Sequence, residues 1–170
     1  MITRYGADAV RWFIMSDSPP EKDVRWSDTG VSSANKFLQK IWNLNFIISS
    51  RKLINSDKTA NKEFTSKINL YIDKIDGSIN DFRFNVCIAQ FYEIYNLFRD
   101  YIEKKVDNEI LKENIIKIMK IMIPFIPHLA YECLELHRCK DINKWPQIDK
   151  SKINEKISIA VQINGKTRDI

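Results

Sequence analysis

Residues 111–128 read LKENIIKIMKIMIPFIPH. Leu111, Ile115, Ile118, Met122 and Phe125 recur at steps of four, three, four and three, the period that lines one face of an α-helix. Pro124 and Pro127 interrupt the pattern, because proline has no amide hydrogen to donate and its ring crowds the preceding turn. The reading is a helix that meets a proline-marked bend and restarts near His128, ending around Leu136.

The same period extends toward the N-terminus. Ile88, Phe91, Tyr95, Phe98 and Ile102 mark a helix to about Lys105, with Asn85 as its expected N-cap after the turn at Arg83-Phe84. Phe64, Ile68, Ile72, Ile75, Ile79 and Phe82 mark another, in which Gly77 costs propensity without breaking the pattern. Residues 55–63 are polar and read as a surface connection. Before it, Ala34, Phe37, Ile41, Leu44 and Ile48 form the stripe of a helix capped by Ser27 or Asp28 and reaching about Lys52. Tyr5, Ala9, Val10, Phe13 and Ile14 define a first helix over 4–16, with Arg4/Asp8 and Asp8/Arg11 as intrahelical charge pairs and Ser18-Pro19-Pro20 as its stop. Helices of this length with short connections predict an all-α, antiparallel helix bundle.

The composition agrees. The chain has 170 residues, of which 44% are hydrophobic and 11% aromatic, enough to build a core and to exclude a disordered chain. Four glycines are too few for a fold built on hairpins or Gly-rich crossovers. The three cysteines, Cys87, Cys133 and Cys139, form no CxxC pair, which points to a reducing, cytoplasmic setting. No apolar run approaches the roughly 20 residues of a membrane span, and no signal-like segment follows Met1, so no membrane association is expected. His128, Cys133, His137 and Cys139 are metal-ligand types at spacings that match no closed zinc pattern; no metal site and no catalytic residue are assigned.

Beyond residue 140 the character changes. Residues 141–156 read as a linker pinned to the surface by Ile142, Trp145-Pro146, Ile148 and Ile153. Ile157, Ile159, Val161 and Ile163 then alternate with Ser158, Ala160 and Gln162 ahead of Asn164-Gly165, a hairpin signature. The returning strand stops at Ile170, so 157–170 is expected to be the start of a truncated C-terminal domain with a short β segment.

Charge is unevenly distributed. Residues 1–60 hold nine Lys/Arg against six Asp/Glu, residues 61–137 ten against twelve, and residues 138–170 eight against four, for a net charge of +5. Positive ends flanking a slightly acidic middle suit an anionic partner, and equally a merely solvated surface. Trp12, Trp26, Trp42 and Trp145 sit in apolar patterns or beside proline and read as core or anchors.

Several strings carry a resemblance. Tyr5-Gly6-Ala7-Asp8-Ala9-Val10-Arg11 and residues 18–31, SPPEKDVRWSDTGV, resemble the segment that follows the KMSKS loop in leucyl-tRNA synthetases. Phe84-Asn85-Val86-Cys87-Ile88-Ala89 resembles the FNTAI-type helix start of this class I group, Pro124-Phe125-Ile126-Pro127-His128 its PF-x-PH string, and Trp145-Pro146 its recurrent WP. Residues 160–168, AVQINGKTR, are similar to the VQVNGK-x-R string of bacterial-type leucyl enzymes. The resemblance implies a connecting segment over 1–27, a helical anticodon-binding-type bundle over 28–140, the linker, and the opening of the C-terminal domain. It further implies tRNA(Leu) and the remaining synthetase domains as partners of a monomer, with ATP and Mg2+ serving the full-length enzyme and no cofactor held by this stretch. Neither the HIGH-type nor the KMSKS motif is present, so this stretch alone is expected not to catalyse adenylation.

For tRNA contact the sequence nominates basic residues off the apolar stripes: Lys36 and Lys40 one turn apart, Arg51 and Lys52 at the end of the same helix, Arg83 beside a helix start, and Lys166 and Arg168 after the hairpin turn. The alternative is a free-standing helical module that binds RNA or protein, against which the interrupted hairpin counts.

Overall fold

The computed structural model describes residues 2–52, 56–148, 161–163 and 166–169. Its elements are α1 (Ile2–Tyr5), α2 (Ala7–Asp17), α3 (Asp28–Ser50), α4 (Lys58–Asn80), α5 (Phe84–Glu103), α6 (Asn108–Met122), α7 (Pro127–Leu136), β1 (Val161–Ile163) and β2 (Lys166–Asp169). β1 and β2 pair antiparallel, with a register shift at Val161/Gln162. The expected Asn164-Gly165 turn, Ile153 and the strand start at 157–160 lie outside the described residues.

The apolar stripes become one core. α4 and α5 lie antiparallel: Phe64 packs its ring 5.0 Å from Phe98, while the Cys87 thiol near the other end of the pair approaches the Ile75 carbonyl at 3.9 Å. α3 runs antiparallel to α6, as the contacts of Asn45 with Met119 and of Arg51 with Asn108 show. α2 lies across α3 and α5. Its Trp12 is completely buried, with ring centroids 5.3 Å from Phe37 and 5.9 Å from Phe91, and Phe91 in turn meets Phe125 at 5.2 Å. These four aromatics join α2, α3, α5 and the turn after α6.

Helix starts follow side-chain caps where the chain provides them. Ser27 accepts from the Gly30 amide at 3.1 Å, Asp57 from Thr59 and Ala60 at 2.8 and 3.2 Å, and Asp107 from Glu109 at 2.8 Å. The Asp57 cap starts α4 at Lys58, so residues 58–63 of the expected surface connection are helical. Asn85 is not the cap of α5. The helix opens one residue earlier at Phe84, without a side-chain cap, and the Arg83 carbonyl accepts from the Val86 and Cys87 amides.

The single helix expected over 4–16 is two, divided at Gly6 with φ of 80°. That left-handed backbone suits glycine and breaks the helical ladder. Gly30 answers a different need, since a Cβ there would stand 2.5 Å from the Phe13 ring where α3 crosses α2. Elsewhere the Gly-poor chain ends helices without glycine. Phe82, Lys105 and Arg138 adopt φ of 56°, 60° and 55° just past α4, α5 and α7. Behind each, paired hydrogen bonds such as Arg138 N–H to Glu135 O and Cys139 N–H to Leu134 O close the helix end.

The segment after α7 straps back over the bundle. Trp145 donates its indole N–H to Asp76 at 3.0 Å, Pro146 is buried, and Ile142 and Ile148 pack against the core. Among the described residues no helix is long and apolar enough to cross a membrane.

Candidate nucleic-acid interface

Two of the strings singled out in the sequence, more than 110 residues apart, form one structural unit. Asp8, on α2, accepts the Leu129 amide at 2.7 Å and lies 2.9 Å from His128 Nδ1. It thereby caps α7 from outside, where the preceding residue Ile126 has no capping side chain. Arg11, one turn further along α2, donates Nε–H to the Phe125 carbonyl at 3.1 Å and a second N–H to the Pro124 carbonyl. Carboxylate at the start of α7 and guanidinium at the end of α6 each meet the helix dipole of favourable sign. The intrahelical pairs expected for Asp8 do not form; it is spent on α7, and Arg4 instead stacks 5.0 Å from the Tyr5 ring centre.

This interlock closes one end of a groove of about 760 Å³ running between α3 and α7. Trp42, Leu38 and Gln39 of α3 face His128 and Glu132 of α7 across it, with Tyr5 at the end. Trp42 is 36% exposed and Phe46, one turn on, 56%, so Trp42 is a surface residue and not the core residue its surroundings suggested. Trp26 and Trp145 are anchors, their indole N–H groups held by Asp28 and Asp76, and only Trp12 lies fully in the core. Trp42 and Phe46 stand four apart and off the 34-37-41-44-48 stripe, a spacing that marks them as outward-facing.

Of the nominated cations, Lys36 and Lys40 stand exposed, one turn apart on α3, with no ion-pair partner among the described residues. Lys52 is exposed just past the helix. Arg51 differs. Its guanidinium donates to the carbonyls of Val106 and Ile102 at 2.6 and 3.0 Å and to Asn108 Oδ1 at 2.9 Å, and Asn108 returns a bond to the Arg51 carbonyl at 2.6 Å. It clamps α3 to the turn joining α5 to α6 and is half-buried, unlike the exposed lysines. Arg83 is exposed and forms an ion pair with Asp81, which raises its pKa by hydrogen bonding and charge. Lys166 and Arg168 fall in β2.

The residues considered for metal binding are dispersed. Cys133 is buried, with its thiol pKa pushed up to about 12 by burial, and Cys87 likewise to about 11. His137 is 3% exposed, 3.0 Å from Asn45 Oδ1, and burial together with nearby Lys112 holds its pKa down at about 4. Among the described residues no group of three or more His, Cys, Asp or Glu side chains could hold a metal ion.

A bundle of this construction, with an exposed basic ridge, is the class of the anticodon-binding domain of tRNA ligase. The model of that family matches residues 61–170, and the chain belongs to it. Its relatives narrow the kinship. It is 36% identical over 183 residues to the leucine–tRNA ligase of Fervidobacterium nodosum, covering 99% of the chain and 22% of that protein. It is 36% identical over 172 residues to the leucine–tRNA ligase of Orientia tsutsugamushi, covering 98% and 20%, and 33% identical over 173 residues to that of Zymomonas mobilis, covering 99% and 20%. The chain thus spans about a fifth of the length of these relatives. It also shares its fold with a leucyl-tRNA synthetase from Agrobacterium radiobacter, solved as a ternary complex with tRNA and LeuAMS. There the TM-score is 0.78 at 22% identity, over 90% of this chain and 21% of the other.

Proposed function

We propose that this chain is the tRNA-binding helical segment of a leucine–tRNA ligase, and that it holds tRNA(Leu) through the exposed α3 ridge while other domains of a monomeric, cytoplasmic enzyme aminoacylate it. The observation that carries the reading is the pair Lys36 and Lys40, exposed one turn apart with no partner among the described residues, in a chain of the anticodon-binding family. Two ammonium groups at helical spacing suit successive backbone phosphates, a contact that gives affinity without base readout. Arg51 and Lys52 at the end of α3, Arg83, and Lys166 and Arg168 of β2 are the further nominated contacts. Trp42 adds an apolar ring beside the ridge on which a base or ribose can stack.

ATP and Mg2+ belong to adenylation by the full-length enzyme. The described side chains offer no carboxylate or imidazole cluster for that cation, so no step is assigned to them. The test is the double variant Lys36→Gln/Lys40→Gln. Affinity for tRNA falls, and the slope of log affinity against log salt shrinks by about one per lost phosphate contact. An unchanged slope and affinity remove the ridge from the interface.

A further inference from the structure

Where α3 and α7 end beside the start of α6, the bundle leaves a recess of about 390 Å³ whose chemistry differs from the groove. Arg51, Lys112 and Arg138 line it, against one carboxylate, Glu109. Three N–H groups of Arg51 are engaged in the clamp, and the other two of its five have no partner among the described residues. His137 also lines the recess, 97% buried, and its Nδ1 has no hydrogen-bond partner among the described residues.

The protonation of that ring follows from its other nitrogen. Asn45 donates its amide N–H to the Ile41 carbonyl at 2.9 Å, which orients Oδ1 as the acceptor toward His137 Nε2 at 3.0 Å. Nε2 therefore carries the hydrogen, and Nδ1 presents a lone pair. A buried lone pair with no partner among the described residues is a costly arrangement, and of the buried side-chain atoms left so, Asn69, Asn85, Gln90 and Asn114 present amide oxygens while His137 alone is an imidazole lining a cation-rich recess.

We propose that this recess binds a single phosphate group, held by Arg138, Lys112 and the remaining N–H groups of Arg51, with His137 taking up one proton from solvent at Nδ1 and donating it as a hydrogen bond to a phosphate oxygen. In the empty recess burial and Lys112 oppose that proton, and Arg51 and Arg138 add to the opposition. A bound dianion reverses the sign of the local potential, while Glu109 on α6 favours the imidazolium in either state. Binding of the dianion is therefore linked to proton uptake at Nδ1; where free phosphate is already the monoanion, its own proton passes to His137 and the dependence on pH levels off. Arg138 occupies a left-handed position, φ 55°, that glycine would fill with less strain, so Arg138→Gly tests the side chain without endangering the fold. The proposal does not rest on the tRNA reading, because free phosphate suffices as the probe.

The chain has only two histidines, and His128 is exposed. The experiment titrates inorganic phosphate, against chloride at matched ionic strength, while the two imidazole rings are followed by NMR at pH 6. The result expected is a saturable shift confined to His137, a rise of its pKa from about 4 to above the working pH, and loss of about tenfold in phosphate affinity in both Arg138→Gly and Lys112→Gln. A His137 signal that does not respond, or one that responds in both variants with the affinity of the wild type, overturns the proposal. Adding tRNA then separates the sources of the phosphate. Displacement assigns the recess to the RNA backbone, and retention assigns it to a free small anion.

Discussion

Asp8→Ala is the substitution for which the structure gives the most definite magnitude. It removes the acceptor for the Leu129 amide at 2.7 Å and the partner of His128 at 2.9 Å, at a carboxylate with little exposure. Loss of a helix cap costs about 1 kcal/mol, and an amide left without a partner in a partly buried site adds a comparable amount. The exposed His128 contributes little because water replaces its partner. We therefore expect a loss of about 2 kcal/mol, which for a chain of this length lowers Tm by about 4–8 °C. Asp8→Asn keeps one acceptor oxygen and loses the charge facing the α7 dipole, so about half that loss is expected. Arg4→Gln is the control. If Asp8 acted through an intrahelical pair with Arg4, the two substitutions would cost alike; the structure places Arg4→Gln within about 0.5 kcal/mol of wild type. Urea denaturation followed by circular dichroism measures all three. A loss below about 0.5 kcal/mol for Asp8→Ala, or equal losses for Asp8→Ala and Arg4→Gln, refutes the capping argument.

Other outcomes follow from the same physics. Gly77→Ala, in the interior of α4 with nothing within 4 Å of the added methyl, should stabilise by about 0.5–1 kcal/mol, whereas Gly30→Ala should fail to gain because its methyl meets the Phe13 ring at 2.5 Å. Paired melts of the two variants check the contrast. Lys105→Gly, at φ 60° after α5, should raise stability by relieving left-handed strain, by up to about 1 kcal/mol in the same assay. His137 is neutral in the folded chain down to about pH 4, while in the unfolded chain it titrates near its ordinary value of 6.5. The unfolded state thus binds the extra proton between those values, and stability falls as pH falls through that window. Its contribution amounts to about 2–3 kcal/mol between pH 7 and 4 in phosphate-free buffer, and the stability of His137→Gln relative to wild type should rise by that amount.

Much of the fold was legible because it is written in local periodicity. The 34-37-41-44-48 stripe of α3 and the 4-3-4-3 steps of α6 reappear as buried faces, and the Pro124–Pro127 string as the bend between α6 and α7. The misreadings occurred where a local rule competed with a distant contact. Asp8 has two arginines at helical spacing, yet its partners lie on α7, and that tertiary contact tolerates a helix break at Gly6. The start of α4 went unread because only apolar recurrence was counted, although Asp57 is an N-cap residue type. Within the candidate interface, Lys36 and Lys40 were readable because exposure on a helix follows its period. Arg51 was not, since its partners are carbonyls of a turn that becomes its neighbour only after folding. The His137 recess was invisible for the same reason, being assembled from three helix ends.

The measurement closest to the central claim is site-specific photo-crosslinking to tRNA(Leu). A benzophenone side chain replaces Lys40 on the α3 ridge in one preparation and Lys74, exposed on α4, in another. If α3 is the tRNA-binding face, the Lys40 position crosslinks to tRNA, high salt suppresses the crosslink, and the Lys74 position yields little. Equal yields from the two positions, or a crosslink from Lys74 alone, contradict it.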